Sequence, residues 1–143
     1  SGGVGILVRD GAHHNIFENF NISNATYSIR FANFNEDPNN NANVAGSSNE
    51  FSKITIKNST GAAISFFGYR GFPARTSNNT FEELNVINSP YFISINHHTE
   101  NNTINNSTIN NVRNYAQVFS AFSNETVGLT YSNITIINSG FDF

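Results

Sequence analysis

NEFSKITIKN, at residues 49–58, contains the pattern that decides the fold of this 143-residue chain. The pattern opens and closes on asparagine and has apolar residues at its third, sixth and eighth positions. Two further clear copies occupy residues 15–24 and 79–88, and two weaker copies occupy residues 102–111 and 129–138. A short strand pattern that returns at such intervals is typical of a solenoid, in which each repeat buries its apolar face against its neighbours.

The apolar positions predict where the strands and the core lie. The sixth and eighth positions alternate with polar residues, as in a strand with one buried face, and the three-residue step before them indicates a corner. We expect the third positions to stack inside, namely Phe17, Phe51, Phe81, Ile104 and Tyr131. A second apolar pair follows each closing asparagine, at Ile29/Phe31, Ile64/Phe66, Ile93/Ile95 and approximately Val118/Phe119. Each repeat therefore supplies at least two short strands.

The phrase N-x-[FI]-x-x-[FIL]-x-[IV]-x-N resembles the repeat of right-handed parallel β-helix proteins. These are the pectate-lyase-like superfamily and its NosD-type periplasmic copper-processing branch. The resemblance covers nearly the whole chain and implies an all-β, right-handed parallel β-helix (β-solenoid) of about five coils. Because that superfamily includes polysaccharide lyases, hydrolases, epimerases, phage tailspikes and surface proteins, the resemblance leaves the function open.

The domain organisation follows from the repeats. We predict one β-solenoid domain over residues 1–143, with loop insertions at about 35–47 and 69–77, where turn and breaker residues concentrate. The asparagines that close each pattern are expected at corners, because asparagine tolerates left-handed backbone geometry. Aligned asparagines can also hydrogen-bond as a ladder. We expect Asn24 and Asn58 to lie buried in such a ladder.

Composition excludes several function classes. The formal charge is −3 and only 12% of residues are charged, so no basic stripe exists to bind nucleic acid. No apolar run of 18 residues predicts a membrane span, and no signal peptide is visible. Cysteine is absent, which excludes disulfides and thiolate metal sites. Methionine is also absent, so we expect either a processed product or a piece of a longer chain.

The carboxylates do not form a catalytic cluster in the repeat frame. Glu18 and Glu82 hold the same repeat position, but Ser52 occupies that position in the coil between them. A separation of about two rungs, near 10 Å, is loose for a glycosidase acid pair. We interpret these carboxylates as a solvated outer face and predict no catalytic residues.

The histidines and arginines are likewise interpreted as structural. His13/His14 and His97/His98 fall in turns before a repeat, about three coils or roughly 14 Å apart. They are better turn residues than metal ligands, so we predict no metal and no cofactor. Arg70 and Arg75 flank a Gly-Phe-Pro in the second insertion, and that loop is expected to cover a coil rather than contact sugar.

Nine N-x-[ST] sequons are present, and about five are expected from composition by independent placement. Five of the nine lie in predicted loops or at an outward corner, and we predict N-linked glycosylation at Asn78, Asn101, Asn106, Asn124 and Asn133. Such modification implies export, hence an extracellular or cell-surface location.

Two functions remain open at this stage. The first is a structural subunit that assembles head-to-tail with copies of itself into a filament, sheath or surface layer. Its subunit interface would join Ile6 and Val8 to Phe141 and Phe143 of the next copy, because both pairs occupy the same slot of the coil. The alternative is a carbohydrate-active β-helix, either a lyase or hydrolase or a tailspike-like glycan-binding module, or a fragment of a longer chain.

Overall fold

The computed structural model describes residues 3–32, 44–67, 75–95, 99–119 and 126–139. These residues form strands of two to six residues and no helix, which confirms the predicted all-β class. The strands assemble into four sheets, and neighbouring strands within each sheet are parallel. Each strand pairs with the strand four places further along the chain. This regular stacking of parallel strands is consistent with a β-solenoid.

The four sheets, numbered I to IV, each take one strand in turn along the chain. Sheet I contains β1 (Val4–Arg9), β5 (Tyr27–Ala32), β9 (Ala62–Phe67), β13 (Tyr91–Ile95) and β17 (Tyr115–Phe119). Sheet II contains β2 (Ala12–His13), β6 (Val44–Ser47), β10 (Arg75–Ser77), β14 (Thr99–Glu100) and β18 (Thr126–Val127). Sheet III contains β3 (Ile16–Glu18), β7 (Glu50–Ser52), β11 (Thr80–Glu82), β15 (Thr103–Asn105) and β19 (Thr130–Ser132). Sheet IV contains β4 (Asn21–Ser23), β8 (Thr55–Lys57), β12 (Asn85–Ile87), β16 (Thr108–Asn110) and β20 (Thr135–Ile137).

Single residues in the left-handed backbone region make three of the four corners between consecutive sheets. The closing asparagines have φ between 49° and 58°, as their residue type predicted: Asn24, Asn58, Asn88, Asn111 and Asn138. The first four turn the chain from sheet IV to sheet I. Asn24, Asn58, Asn88 and Asn111 also hydrogen-bond to the next repeat through their main-chain N–H groups. For example, the main-chain N–H of Asn58 donates to the carbonyl of Ile87 at 2.9 Å. The corners therefore continue the backbone pairing of the strands.

The predicted inner column is confirmed in sheet III. Its third-position residues pair in register from Phe17 through Phe51, Phe81 and Ile104 to Tyr131. The Phe51 ring stacks on Phe17 at 4.7 Å and on Phe81 at 4.9 Å, close to the ~4.8 Å spacing of the strands themselves. Burial also raises the pKa of the Tyr131 phenol. The column is therefore fully buried at Phe51, Phe81 and Ile104 and partly buried at its two ends, Phe17 and Tyr131.

Sheet I confirms three of the four predicted apolar pairs and corrects one. Ile29/Phe31, Ile64/Phe66 and Ile93/Ile95 align in one register, and Ile6/Val8 precede them. In the next strand, however, Gln117 pairs with Ile93 and Phe119 with Ile95, so Val118 pairs with Ser94. Val118 was predicted because it is apolar. The backbone pairing with β13 instead places Gln117 in line with the inward positions, and Val118 in line with the outward Ser94.

Ser107 replaces the middle apolar residue of the fourth pattern, and the structure shows how that polar residue is tolerated. Ser107 is 1% exposed. Its hydroxyl accepts a hydrogen bond from the main-chain N–H of Leu84 at 3.1 Å and donates to the carbonyl of Asn105 at 2.7 Å. A buried hydroxyl with both bonds made costs little.

The predicted insertions lie only partly within the described residues. Strand β6 occupies the end of the first range and β10 the end of the second, whereas residues 35–43 and 69–74 lie outside the described ranges. The last residues of both predicted insertions thus form strands of sheet II, which precede the opening asparagines Asn49 and Asn79.

Replacing Phe51 by aspartate should abolish folding, because an unpaired charge at this 0% exposed position costs several kcal/mol. That cost is comparable to the ~5–15 kcal/mol stability of a typical domain. Phe20→Asp is the matched control, since Phe20 is 46% exposed and its replacement should leave the strands intact. Far-UV circular dichroism with urea titration measures both. A wild-type unfolding midpoint for Phe51→Asp would contradict the placement of the column.

Candidate functional site

The opening asparagines of the patterns form a buried amide ladder. The main-chain N–H and the Nδ2 of Asn49 both donate to Oδ1 of Asn79, at 3.0 and 2.9 Å. Asn79 makes the same two donations to Asn102, at 3.0 and 2.9 Å. Asn15 makes them to Asn49, at 3.1 and 2.9 Å. All donations run in one direction along the stack.

The second amide hydrogen of each interior rung is also satisfied. It reaches a main-chain carbonyl of sheet II, that of Ala12, Gly46 or Thr76, at 3.0 to 3.3 Å. Asn49, Asn79 and Asn102 are each 0% exposed. At Asn49 and Asn79 the ladder therefore joins the rungs to one another and to sheet II with both amide hydrogens paired, which is the condition for burying polar groups. The ladder ends at Asn102, because Leu129 holds the equivalent position of the next repeat.

The closing asparagines form a second ladder, but this one is exposed. Asn88 donates from Nδ2 to Oδ1 of Asn58 at 3.1 Å, and Asn111 donates to Asn88 at 2.6 Å. Both Asn24 and Asn58 are exposed, so the expectation that they are buried was wrong. The closing residue lies at a left-handed corner on the outside of the stack. The opening asparagines have no positive φ; Asn49, Asn79 and Asn102 lie in the interior between sheets II and III, whereas Asn15, at the end of the stack, is exposed.

Four of the five predicted glycosylation acceptors lie in the described residues, and all four are exposed. Asn78, Asn101, Asn106 and Asn133 also have positive φ, between 48° and 54°, and so lie at corners. Asn124 lies outside the described residues. These positions present their amides to solvent on the outside of the stack.

The four acceptors form two neighbouring pairs. Asn78 and Asn101 follow Ser77 and Glu100, which pair directly. Asn133 donates from Nδ2 to Oδ1 of Asn106 at 3.0 Å. Members of a pair are therefore about one strand spacing, ~4.8 Å, apart. Sugars on both members of a pair would be crowded against each other.

The histidines give no metal centre within the part of the chain that is described. His13 ends β2 and His14 lies at the next corner with φ 56°, and their Nδ1 atoms are 2.8 Å apart in an exposed position. His97 and His98 lie outside the described residues. In the described ranges, no three histidine, aspartate or glutamate side chains come together as a metal-ligand group.

The predicted outer-face carboxylates bond to neighbours rather than to each other. Glu18 and Glu82 are separated by Ser52 in the register of sheet III, about 10 Å by strand spacing. Glu18 accepts from Lys53 Nζ at 2.8 Å, and this hydrogen bond raises the pKa of Lys53. Glu82 accepts from Asn106 Nδ2 at 3.1 Å. An exposed ion pair of this kind contributes little stability.

The residues of the predicted subunit interface are only partly described. Ile6 is half-buried and packs against the core, and Val8 is 2% exposed. Phe141 and Phe143 lie outside the described residues.

Of the two arginines in the second predicted insertion, Arg70 lies outside the described residues and Arg75 begins β10. The described part contains no helix long and apolar enough to cross a membrane.

Arg30 is a candidate binding residue that sequence reasoning missed. Its guanidinium carbon lies 4.6 Å from the centre of the Tyr27 ring and 4.3 Å from that of Phe67. No described carboxylate pairs with it, whereas Arg9 and Lys53 each have one. The sequence signal was an arginine at an outward strand position followed by a buried phenylalanine, which is too common to single out.

Comparison with known proteins does not assign the chain to a family. No protein-family model matches the chain, no curated protein matches it, and no solved structure matches it.

Replacing Asn79 by alanine should destabilise the protein by about 2–6 kcal/mol. The change removes the acceptor of both Asn49 donors, and each buried donor left unpaired costs about 1–3 kcal/mol. Asn88→Gly is the matched control, because glycine keeps the left-handed corner while removing an exposed amide. Urea unfolding compares the two variants. Equal, small losses for both would show that the buried ladder contributes no special stability.

Proposed function

We propose that this chain is a structural β-solenoid subunit, exported and N-glycosylated, that assembles head-to-tail into an extracellular filament, sheath or surface layer. The proposed solenoid is a right-handed parallel β-helix of about five coils. Its hand is supported by the general preference of parallel strand crossovers, ≈ 98% of which are right-handed. Five strands in each sheet support the number of coils.

The observation that carries the proposal is the exposure of core columns at the two ends of the stack. Phe20 is 46% exposed, although Ile54 and Leu84, at the same pattern position, are 0% and 1% exposed. At the other end Ile136 is 39% exposed, whereas Ile109 in the neighbouring strand is 1% exposed. The neighbouring residues of both columns are also apolar. The end residues are exposed because no further described strand covers them.

Other apolar residues add to both ends. Among the described residues, the remaining exposed large apolar side chains lie on β1, β3 and β20, at Val4, Leu7, Ile16 and Ile137. Outward positions of the interior strands are instead mostly amide, hydroxyl or charged, as at Thr80, Asn85 and Thr108. Apolar surface grouped in this way is typical of an interaction site, whereas isolated apolar residues are not.

The edge strands support a partner that adds further strands. In the described sheets, β1 to β4 each pair on one side, as do β17 to β20 on the other. Unpaired strand edges are templates for association with another chain. The Oδ1 of Asn15, at the end of the buried ladder, also accepts no hydrogen bond from another described residue.

A second copy of this chain is the partner whose strand edges match the unpaired edges at each end of the stack. Its opposite end offers parallel strands of the same spacing and inward side chains of the same kind, with Ile6 and Val8 of one copy meeting Phe141 and Phe143 of the next. Because the two ends are different surfaces, this contact is heterologous and does not close, so it produces a fibre.

Phe20→Asp should leave the fold intact and abolish assembly, because it places a charge on the exposed end of a core column. Asn85→Asp is the matched control, since it adds the same charge to the exposed side of an interior strand and should leave assembly unchanged. Sedimentation velocity of the full native protein over a range of concentrations, with electron microscopy of the products, measures both. A wild-type protein that stays monomeric at high concentration contradicts the proposal. So does a mature native chain whose own further coils cover these ends.

Native material should have an intact mass above the 15.7 kDa of the polypeptide, owing to N-linked sugar at Asn78, Asn101, Asn106, Asn124 and Asn133. Because the stacked acceptors are about 4.8 Å apart, we expect at most one occupied site in each of the Asn78/Asn101 and Asn106/Asn133 pairs of any molecule. Intact mass and glycopeptide mapping test both points. A mass equal to the bare polypeptide would remove this support for export.

A further inference from the structure

Arg30 presents its side chain on the outer face of sheet I. In β5 it alternates with Ile29 and Phe31, both 0% exposed and part of the core, so its side chain leaves the opposite face. In the register of the sheet it lies between Leu7 of β1 and Ser65 of β9. Leu7 is 42% exposed. A cation and an exposed apolar side chain are therefore direct neighbours.

Two aromatic rings hold the guanidinium in place. Its distances from the Tyr27 and Phe67 ring centres, 4.6 and 4.3 Å, are well within the ~6 Å range of cation–π attraction. Partial burial lowers the pKa of Arg30, while the neighbouring Tyr27 acts in the opposite direction. Arginine stays charged under such conditions because its ordinary pKa is so high. The site thus keeps a fixed, partly desolvated positive charge.

The hydrogen-bonding capacity of this guanidinium is unused within the described residues. Nε is buried and has no hydrogen-bond partner. The arginine as a whole is partly exposed, and no described acceptor binds its two terminal nitrogens. The guanidinium fork is suited to two parallel hydrogen bonds to a carboxylate. Because Nε is enclosed, such a ligand would bind end-on to the terminal nitrogens.

We infer that Arg30, Tyr27 and Phe67 form a binding site for a small organic acid whose carboxylate lies next to an apolar body. The carboxylate pairs with the terminal nitrogens of Arg30, and the apolar body covers Leu7. A single cation bordered by apolar side chains matches one carboxylate with an apolar body. It does not match a polyanion, which binds to several cations together, nor a sugar acid, whose body carries hydroxyl groups.

The test is an NMR titration with 3-phenylpropionate of the full chain carrying Phe20→Asp, which blocks the proposed assembly and leaves Arg30 unchanged; it is followed through the amide signals of β1, β5 and β9, and the variants below are made in the same background. We expect saturable shifts at these strands with a Kd on the order of 1 mM, and a Kd at least tenfold weaker for Arg30→Gln. Arg30→Lys should also weaken binding, because lysine keeps the charge and loses the fork. Arg9→Gln is the matched control and should bind as wild type, because Arg9 is an exposed arginine of sheet I that already pairs with Asp10.

Two further probes separate the parts of the site. The alcohol 3-phenylpropanol has the same apolar body without the carboxylate and should not bind, and galacturonate has the carboxylate without the apolar body and should bind at least tenfold more weakly. The inference is overturned if the alcohol binds as well as the acid, or if galacturonate does. It is also overturned if a folded Arg30→Gln variant, checked by its amide spectrum, keeps the wild-type Kd.

Discussion

Each strand of this protein finds its backbone partners in the neighbouring repeat, and the rest of the structure depends on that constraint. Strands of two to six residues are too short to be stable alone or as isolated hairpins. They become stable when equivalent residues stack at a constant spacing. The residue at each position of the pattern must then pack against, or hydrogen-bond to, the residue at the same position of the next repeat. This explains why phenylalanine lies on phenylalanine and asparagine on asparagine.

The buried ladder adds specificity to this stack. Apolar columns of phenylalanine and isoleucine tolerate some exchange of neighbours, because apolar contact is not directional. An amide that donates to the next Oδ1 and to a sheet II carbonyl is satisfied in one register only. A slipped repeat would leave those donors unpaired in the interior, which is costly. The ladder therefore selects the register, while the columns supply most of the burial.

The sequence predicted the columns and the all-β class, because apolar residues at the third, sixth and eighth positions carry a direct periodic signal. Sheet II was not predicted, since strands such as Thr99–Glu100 are short and have no apolar alternation. The ladder predicted for the closing asparagines exists but is exposed, and the buried ladder of opening asparagines was not predicted, because opening and closing residues look alike in sequence and differ in backbone geometry. The site at Arg30 depends on a ring from the neighbouring strand, a contact that appears only with the register.

The central claim is that the opening asparagines Asn49, Asn79 and Asn102 are buried in a ladder, whereas the ladder of closing asparagines lies on the outside of the stack. Hydrogen exchange of assigned side-chain amides in the native protein measures this most directly. The account predicts that the Nδ2 hydrogens of Asn49, Asn79 and Asn102 exchange as slowly as global unfolding allows, whereas those of Asn88 and Asn111 exchange within the dead time. Rapid exchange at Asn79, equal to that at Asn88, would contradict it.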